Sequence, residues 1–210
     1  MTFYLIKEEM GRYLNHILGQ LYSDKNNYFL KDIAITWINY KRKDNYTIGK
    51  GYGIQNNLNV YPASIVKLVY GLAAYIWIEQ DRILFDNKLN EAVYKMLAQS
   101  SNDATSFVID LLTGTTSGPS LQGHAWDNWK YQREIINDWL SNLNWEELSG
   151  TNCCQKTWED SPFGREKDFY GLNNENKNSM STDAAARIMK EIMTQIDYKK
   201  GNLNLKDFLF

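Results

Sequence analysis

Histidine and cysteine are nearly missing from this chain, with two of each among 210 residues. His16 and His124 have no ligand-spaced partner, so no metal cluster is written in the sequence and each reads as a surface or packing residue. Cys153 and Cys154 are adjacent, and a bridge between neighbours closes a strained ring. They read as free thiols of a reducing compartment. Neither sign of charge dominates: 23 Lys and Arg stand against 25 Asp and Glu, leaving no basic stripe for nucleic acid and no acidic block for a disordered tail. Long apolar runs are absent as well. Phe3-Tyr4-Leu5-Ile6 gives way at once to Lys7-Glu8-Glu9, too short for a secretory leader, and the stretch from Leu68 to Ile78 falls short of a bilayer. The expectation is a cytoplasmic chain with no membrane and no nucleic-acid partner. The single sequon, Asn45-Tyr46-Thr47, carries little weight without export.

Apolar and aromatic residues are plentiful at 43%, enough to bury a core in one domain over residues 1–210. The 7 Trp and 14 Tyr fit packing groups that keep a polar handle, or an aromatic-lined groove for sugar or peptide.

Periodicity divides the chain. Leu5, Ile6, Tyr13, Leu14, Ile17, Leu18 and Leu21 predict an amphipathic helix over 3–22. Ile33 to Tyr40 is β-branched and aromatic, a strand; Lys41 to Asn45 is a charged turn, and Tyr46 to Tyr52 returns as a hairpin partner. Gly49, Gly51 and Gly53 resemble a phosphate loop only loosely, because no helix with a Lys-Ser/Thr step follows. A strong helix is expected from Ser64 to about Gln80, with others over 89–99, 103–112, 131–143 and 182–196. Thr113 to Pro119 is a loop, and the polar residues 149–180 form a long irregular segment.

Chemistry concentrates in two places. In Tyr61-Pro62-Ala63-Ser64-Ile65-Val66-Lys67 a hydroxyl meets the first turn of a helix, where unpaired N–H groups and the helix dipole can stabilise an oxyanion. Lys67 shares the face of Ser64 among apolar neighbours, and desolvation favours its neutral, proton-accepting form. The plainer reading is an N-cap serine with a snorkelling lysine. Ser100-Ser101-Asn102 sits at a junction of two helices. There it can project a proton relay (Ser100) and an amide that binds substrate (Asn102), or simply cap the helix that follows. Both readings can hold for one segment.

Ser64-x-x-Lys67 followed by Ser100-x-Asn102 resembles the penicillin-recognising serine enzymes, the class A β-lactamases and related penicillin-binding proteins. Ser100-Ser101-Asn102-Asp103-Ala104-Thr105 is similar to their Ser-Asp-Asn region, and Met180 to Arg187 to the helix start after their omega loop. Asn152 to Glu166, with Gln155-Lys156-Thr157-Trp158 and Pro162-Phe163-Gly164-Arg165-Glu166, resembles a cyanobacterial-type branch of serine hydrolases. The likeness covers roughly residues 30 to 200. It implies an α+β, β-lactamase/transpeptidase-like fold: a helical lobe plus an antiparallel sheet of which only the N-terminal hairpin is evident. It further implies acylation of Ser64, activation by Lys67, a proton shuttle at Ser100 and substrate contact at Asn102. The substrate would be a small β-lactam, peptide-like amide or ester, with no cofactor and no metal.

The likeness departs at two points. No Lys-Thr-Gly, Lys-Ser-Gly or Lys-Ala-Gly follows the last helix, so a C-terminally truncated copy is expected, with apolar faces left uncovered and its activity in question. An inactive homologue or binding module that keeps the helical lobe is the alternative. The deacylating carboxylate has two candidates, Glu159 and Glu166, neither in the family's Glu-x-x-x-Asn pattern; Glu166 beside Arg165 also reads as a surface ion pair.

Overall fold

A computed structural model of the chain describes residues 3–21, 29–43, 46–194 and 203–209. Tyr22, Asn45 of the sequon with the tip of the charged turn, Ile196 and Phe210 lie outside the described residues. Among those described are eight α-helices and one three-stranded sheet.

The N-terminal segment is not helical throughout. Leu5–Ile6 form β1, which pairs in parallel with Lys50 and Gly51, and Lys7 N–H donates to Gly51 O at 2.8 Å. A free sheet edge thus satisfies backbone groups that the helical spacing had claimed. Helix α1 (Glu8–Leu21) begins where Glu8 and Glu9 complement the positive end of the helix dipole. It buries Gly11, Leu14 and Leu18. A Cβ at Gly11 would stand 2.6 Å from the Tyr52 ring, so glycine lets the helix backbone lie directly on the sheet. Tyr13, Ile17 and Leu21, at i, i+4 and i+8, remain exposed.

Strands β2 (Ile35–Lys43) and β3 (Tyr46–Ile54) form the expected antiparallel hairpin, with Ile35 opposite Ile54 and the sheet in order β1-β3-β2. The glycines of β3 serve packing: a Cβ on Gly51 would lie 2.6 Å from the Trp37 carbonyl oxygen. The sheet is tied to the helices through Asp183. This buried carboxylate accepts from Thr36 Oγ1 at 2.6 Å, from Asn56 Nδ2 at 2.5 Å and from the Tyr4 hydroxyl at 3.5 Å.

A 3-10 turn, Ala63–Val66, leads into α2 (Lys67–Glu79). Eleven of the thirteen α2 residues are buried, so it is the central helix of the core rather than an amphipathic one. Helices α3 (Asn87–Ala98), α4 (Asn102–Thr113) and α8 (Thr182–Thr194) pack around it with the 203–209 segment. Val69, Leu72, Trp77, Val93, Met96, Val108, Ile109 and Ile188 meet there, each worth roughly 1.5–3 kcal/mol in burial. Trp77 also donates from Nε1 to the Leu112 carbonyl at 3.2 Å and meets Trp139 edge-on.

The region expected as one helix over 131–143 is two, α5 (Gly123–Arg133) and α6 (Ile135–Asn142). The 149–180 segment contains α7 (Gly164–Tyr170) and a run of five buried residues, Cys153 to Thr157. That run needs no β-ladder because side chains satisfy its backbone. Asn178 Oδ1 accepts from Cys154 N at 3.2 Å and Gln155 N at 2.9 Å, and Asn137 Oδ1 accepts from Cys153 N at 2.7 Å. The Gln155 carbonyl accepts from Asn178 Nδ2 at 2.9 Å and from the Tyr70 hydroxyl at 2.6 Å. Both cysteines are free and buried.

Glu166 is not a surface ion pair with Arg165. Its side chain and that of Arg133 are both 0% exposed, joined by Arg133 Nη2–Oε1 at 2.8 Å and Nη1–Oε2 at 3.1 Å. Ser117 donates to Oε1 at 2.8 Å, and Lys156 bridges Ser117 at 2.9 Å and Asp110 at 2.8 Å. The two cations and two anions balance, which is the condition for burying charge at tolerable cost. Arg165 instead donates to the Pro119 carbonyl at 3.0 Å. Among the described residues, no helix is long and apolar enough to cross a membrane.

Candidate active site

The structure brings Ser64, Lys67, Ser100 and Asn102 together. Ser64 lies on the 3-10 turn and is exposed. Lys67 opens α2, and its side chain turns into the protein until the residue is 2% exposed. Its three ammonium protons find three oxygens: Ser100 O at 2.5 Å, Asn102 Oδ1 at 2.9 Å and Ser100 Oγ at 3.0 Å. The Ser100 hydroxyl in turn donates to Ser64 Oγ at 3.0 Å. A continuous polar chain therefore runs from Lys67 through Ser100 to Ser64.

Capping does not account for these residues. Pro62 caps the turn and Val66 caps α2, neither with a side-chain bond, so the Ser64 hydroxyl is free of that duty. At the α3–α4 junction the N-cap is Ser101, whose Oγ accepts from Ala104 N at 3.2 Å. The middle serine carries the structural role. Ser100 and Asn102 are left to face Lys67.

The backbone holds both sides of the cluster in an uncommon conformation. Ala63, immediately before the nucleophile candidate, has φ +46°, and Ser100 has φ +55°. Left-handed conformations in residues with a Cβ cost on the order of 1–2 kcal/mol each. Ser100 is held by the Lys67 bond to its carbonyl and by Ser101 N–H donating to Lys95 O at 3.0 Å.

All three Lys67 protons meet neutral oxygens, and burial pushes its pKa below the ordinary 10.5. Deprotonated, Lys67 can accept from Ser100, and Ser100 from Ser64; protonated, the bonds run the other way. The arrangement is a reversible two-step proton relay ending on an exposed hydroxyl. Ser64 N–H, in the first turn of the helical rod, lies where intrahelical acceptors are lacking and can meet a developing oxyanion.

Neither candidate carboxylate joins this cluster. Glu159 is exposed on the loop before Pro162, and Glu166 is enclosed by Arg133 and Ser117. The sequence reading missed Arg133, Lys156 and Asp110 as a unit. No sequence signal marked this unit: Lys156 stands between two polar residues, Gln155 and Thr157, in a segment read as long and irregular. Among the described residues no group of His, Cys, Asp and Glu could hold a metal ion. No family model, curated protein or solved structure matches the chain.

Proposed function

We propose that this chain is a serine acyl-transfer enzyme of the penicillin-recognising type, with Ser64 as the nucleophile. The observation that carries the reading is the hydrogen-bonded series Lys67–Ser100–Ser64 ending on an exposed hydroxyl. In the reaction, Ser64 Oγ bonds to the acyl carbon while its proton passes to Ser100 Oγ and the Ser100 proton passes to neutral Lys67. The tetrahedral oxyanion meets Ser64 N–H. Its collapse breaks the bond to the leaving group, which takes a proton back along the same relay. Asn102 Oδ1 holds Lys67, and its Nδ2 is the group offered to a substrate carbonyl. The substrates are small β-lactams, peptide-like amides or esters.

With both Glu166 oxygens engaged by Arg133 and Ser117, no assigned group activates water, and the acyl-enzyme persists rather than turning over quickly. A fluorophosphonate or fluorescent penicillin should modify Ser64, located by peptide mass spectrometry. A folded chain that takes neither label overturns the reading and leaves a binding module that keeps the cluster without its chemistry.

A further inference from the structure

Side chains of β2 and β3 divide between two faces of the sheet. Ile38 and Tyr40 share the face of Gly49 and Gly51, where an added Cβ would meet Tyr4, Ile38 and Tyr40. The register sets Asn39 opposite Lys50 and Trp37 opposite Tyr52 on the other face, the one that α1 covers where Gly11 meets the Tyr52 ring. Leu5 stands opposite Lys50 in the parallel ladder. Lys7 continues that ladder through its bond to the Gly51 carbonyl, two residues after Leu5, and so projects to the same face as Lys50.

Lys7, Glu9, Met10, Asn39 and Lys50 line one open cleft of about 340 Å³, between this face and the first turn of α1. That volume lies at the small end of ligand sites and suits a molecule the size of one amino acid. The four polar residues are exposed and Met10 is half-buried, so a solute reaches them from solvent. Among the described residues neither lysine takes part in an ion pair, and neither does Glu9. The helix holds Glu9, and the strands hold Lys50 and Asn39. Opposite charges therefore line a single cleft without meeting inside it.

We propose that this cleft is a binding site for a small zwitterion, a free α-amino acid with an apolar side chain. Its carboxylate takes the Lys7 and Lys50 ammonium groups and a proton from Asn39 Nδ2. Its ammonium takes the Glu9 carboxylate, and its side chain lies along Met10, a flexible and polarisable surface. A simple anion would satisfy the lysines but face Glu9 with like charge. A simple cation would do the reverse, and only a molecule carrying both charges uses the whole lining. The site does not involve Ser64, so the proposal stands apart from the nucleophile reading.

The test titrates the full chain at low salt with L-methionine, N-acetyl-L-methionine and L-methioninamide, followed by ligand-observed NMR. L-methionine should bind saturably, with Kd on the order of millimolar. The acetyl form lacks the ammonium and the amide lacks the carboxylate; each should bind about three- to fivefold more weakly, the size of one exposed charge contact. Glu9→Gln should erase the difference between methionine and its acetyl form. The double variant Lys7→Gln, Lys50→Gln should erase the difference between methionine and its amide and should weaken methionine about tenfold. Unchanged thermal denaturation of both variants shows that the fold is kept. Absence of saturable binding overturns the proposal, as does methionine affinity that neither variant alters. Inorganic phosphate binding more tightly than methionine would mark a plain anion patch and overturn it as well.

Discussion

The Ser100 hydroxyl stands 3.0 Å from the Ser64 hydroxyl, across 36 residues of sequence. The contact joins the α3–α4 junction to the turn before α2, and it exists because Ser100 adopts φ +55° instead of continuing α3. Its neighbour Ser101 supplies the ordinary cap of α4. On the proposed reading two adjacent serines divide between chemistry and architecture, and that division can be measured.

Ser64→Ala should abolish fluorophosphonate labelling, and Ser100→Ala should slow it about 10²–10⁴-fold, the usual worth of a positioned proton-transfer group. Ser101→Ala should instead cost about 1 kcal/mol of stability through loss of the cap, with labelling retained. Labelling rates and thermal denaturation of the three variants separate the roles. Equal labelling in Ser100→Ala and the unaltered chain would remove Ser100 from the relay.

Acylation should quicken as pH rises through the folded pKa of Lys67, which burial places below 10.5. The sign for stability follows from linkage. A lysine whose pKa is lowered by folding holds its proton less well in the native state, so at low pH its protonation opposes folding. Stability contributed by this group increases as pH climbs from the folded pKa toward the unfolded one. Lys67→Met should flatten that dependence in denaturation curves taken across pH and should abolish labelling. A labelling rate independent of pH up to 10.5 would show that Lys67 does not serve as the base.

Much of the fold and most of the cluster were legible because they rest on local periodicity. The β-branched hairpin, the stripes of α3, α4 and α8, and the Ser64/Lys67 spacing are short-range patterns. What escaped depends on partners far along the chain. Leu5 and Ile6 suit either a helix or a strand, and only the β3 edge decides between them. Helix α5 lacks an apolar stripe, since Trp126 and Trp129 pack against Phe169 of α7 in a separate cluster. The Cys153–Thr157 run read as part of an irregular segment because nothing local reveals that Asn178 and Asn137 satisfy its backbone. Glu166 read as Arg165's partner because the competing guanidinium, Arg133, is 33 residues away.

Arg133→Ala should destabilise the chain by about 3–5 kcal/mol, since it strips the fully buried Glu166 of its bidentate partner and leaves it only the Ser117 hydroxyl and Lys156 at 3.6 Å. The loss includes the bond from Arg133 Nε to Thr115 Oγ1 at 2.8 Å and the stacking over Trp129. Removing both charges with Arg133→Met and Glu166→Leu should recover a large part of the loss. Chemical denaturation of the single and double variants gives the coupling. If the double variant is no more stable than Arg133→Ala, the pair does not act as a unit.

Cys153 and Cys154 provide a reporter for the buried run that Asn137 and Asn178 clamp. Burial pushes both thiol pKa values above the ordinary 9.0, so the native chain presents neither as a thiolate. Alkylation by iodoacetamide at pH 8 should therefore be slow and limited by opening of the segment, becoming fast in denaturant. The same shift predicts that stability falls above about pH 9, where unfolded thiols ionise and folded ones do not. Asn178→Ala should remove the acceptor for Cys154 N and Gln155 N at a cost of about 2–4 kcal/mol, and should raise the alkylation rate of both thiols. Unchanged alkylation in Asn178→Ala would show that the segment does not depend on this clamp.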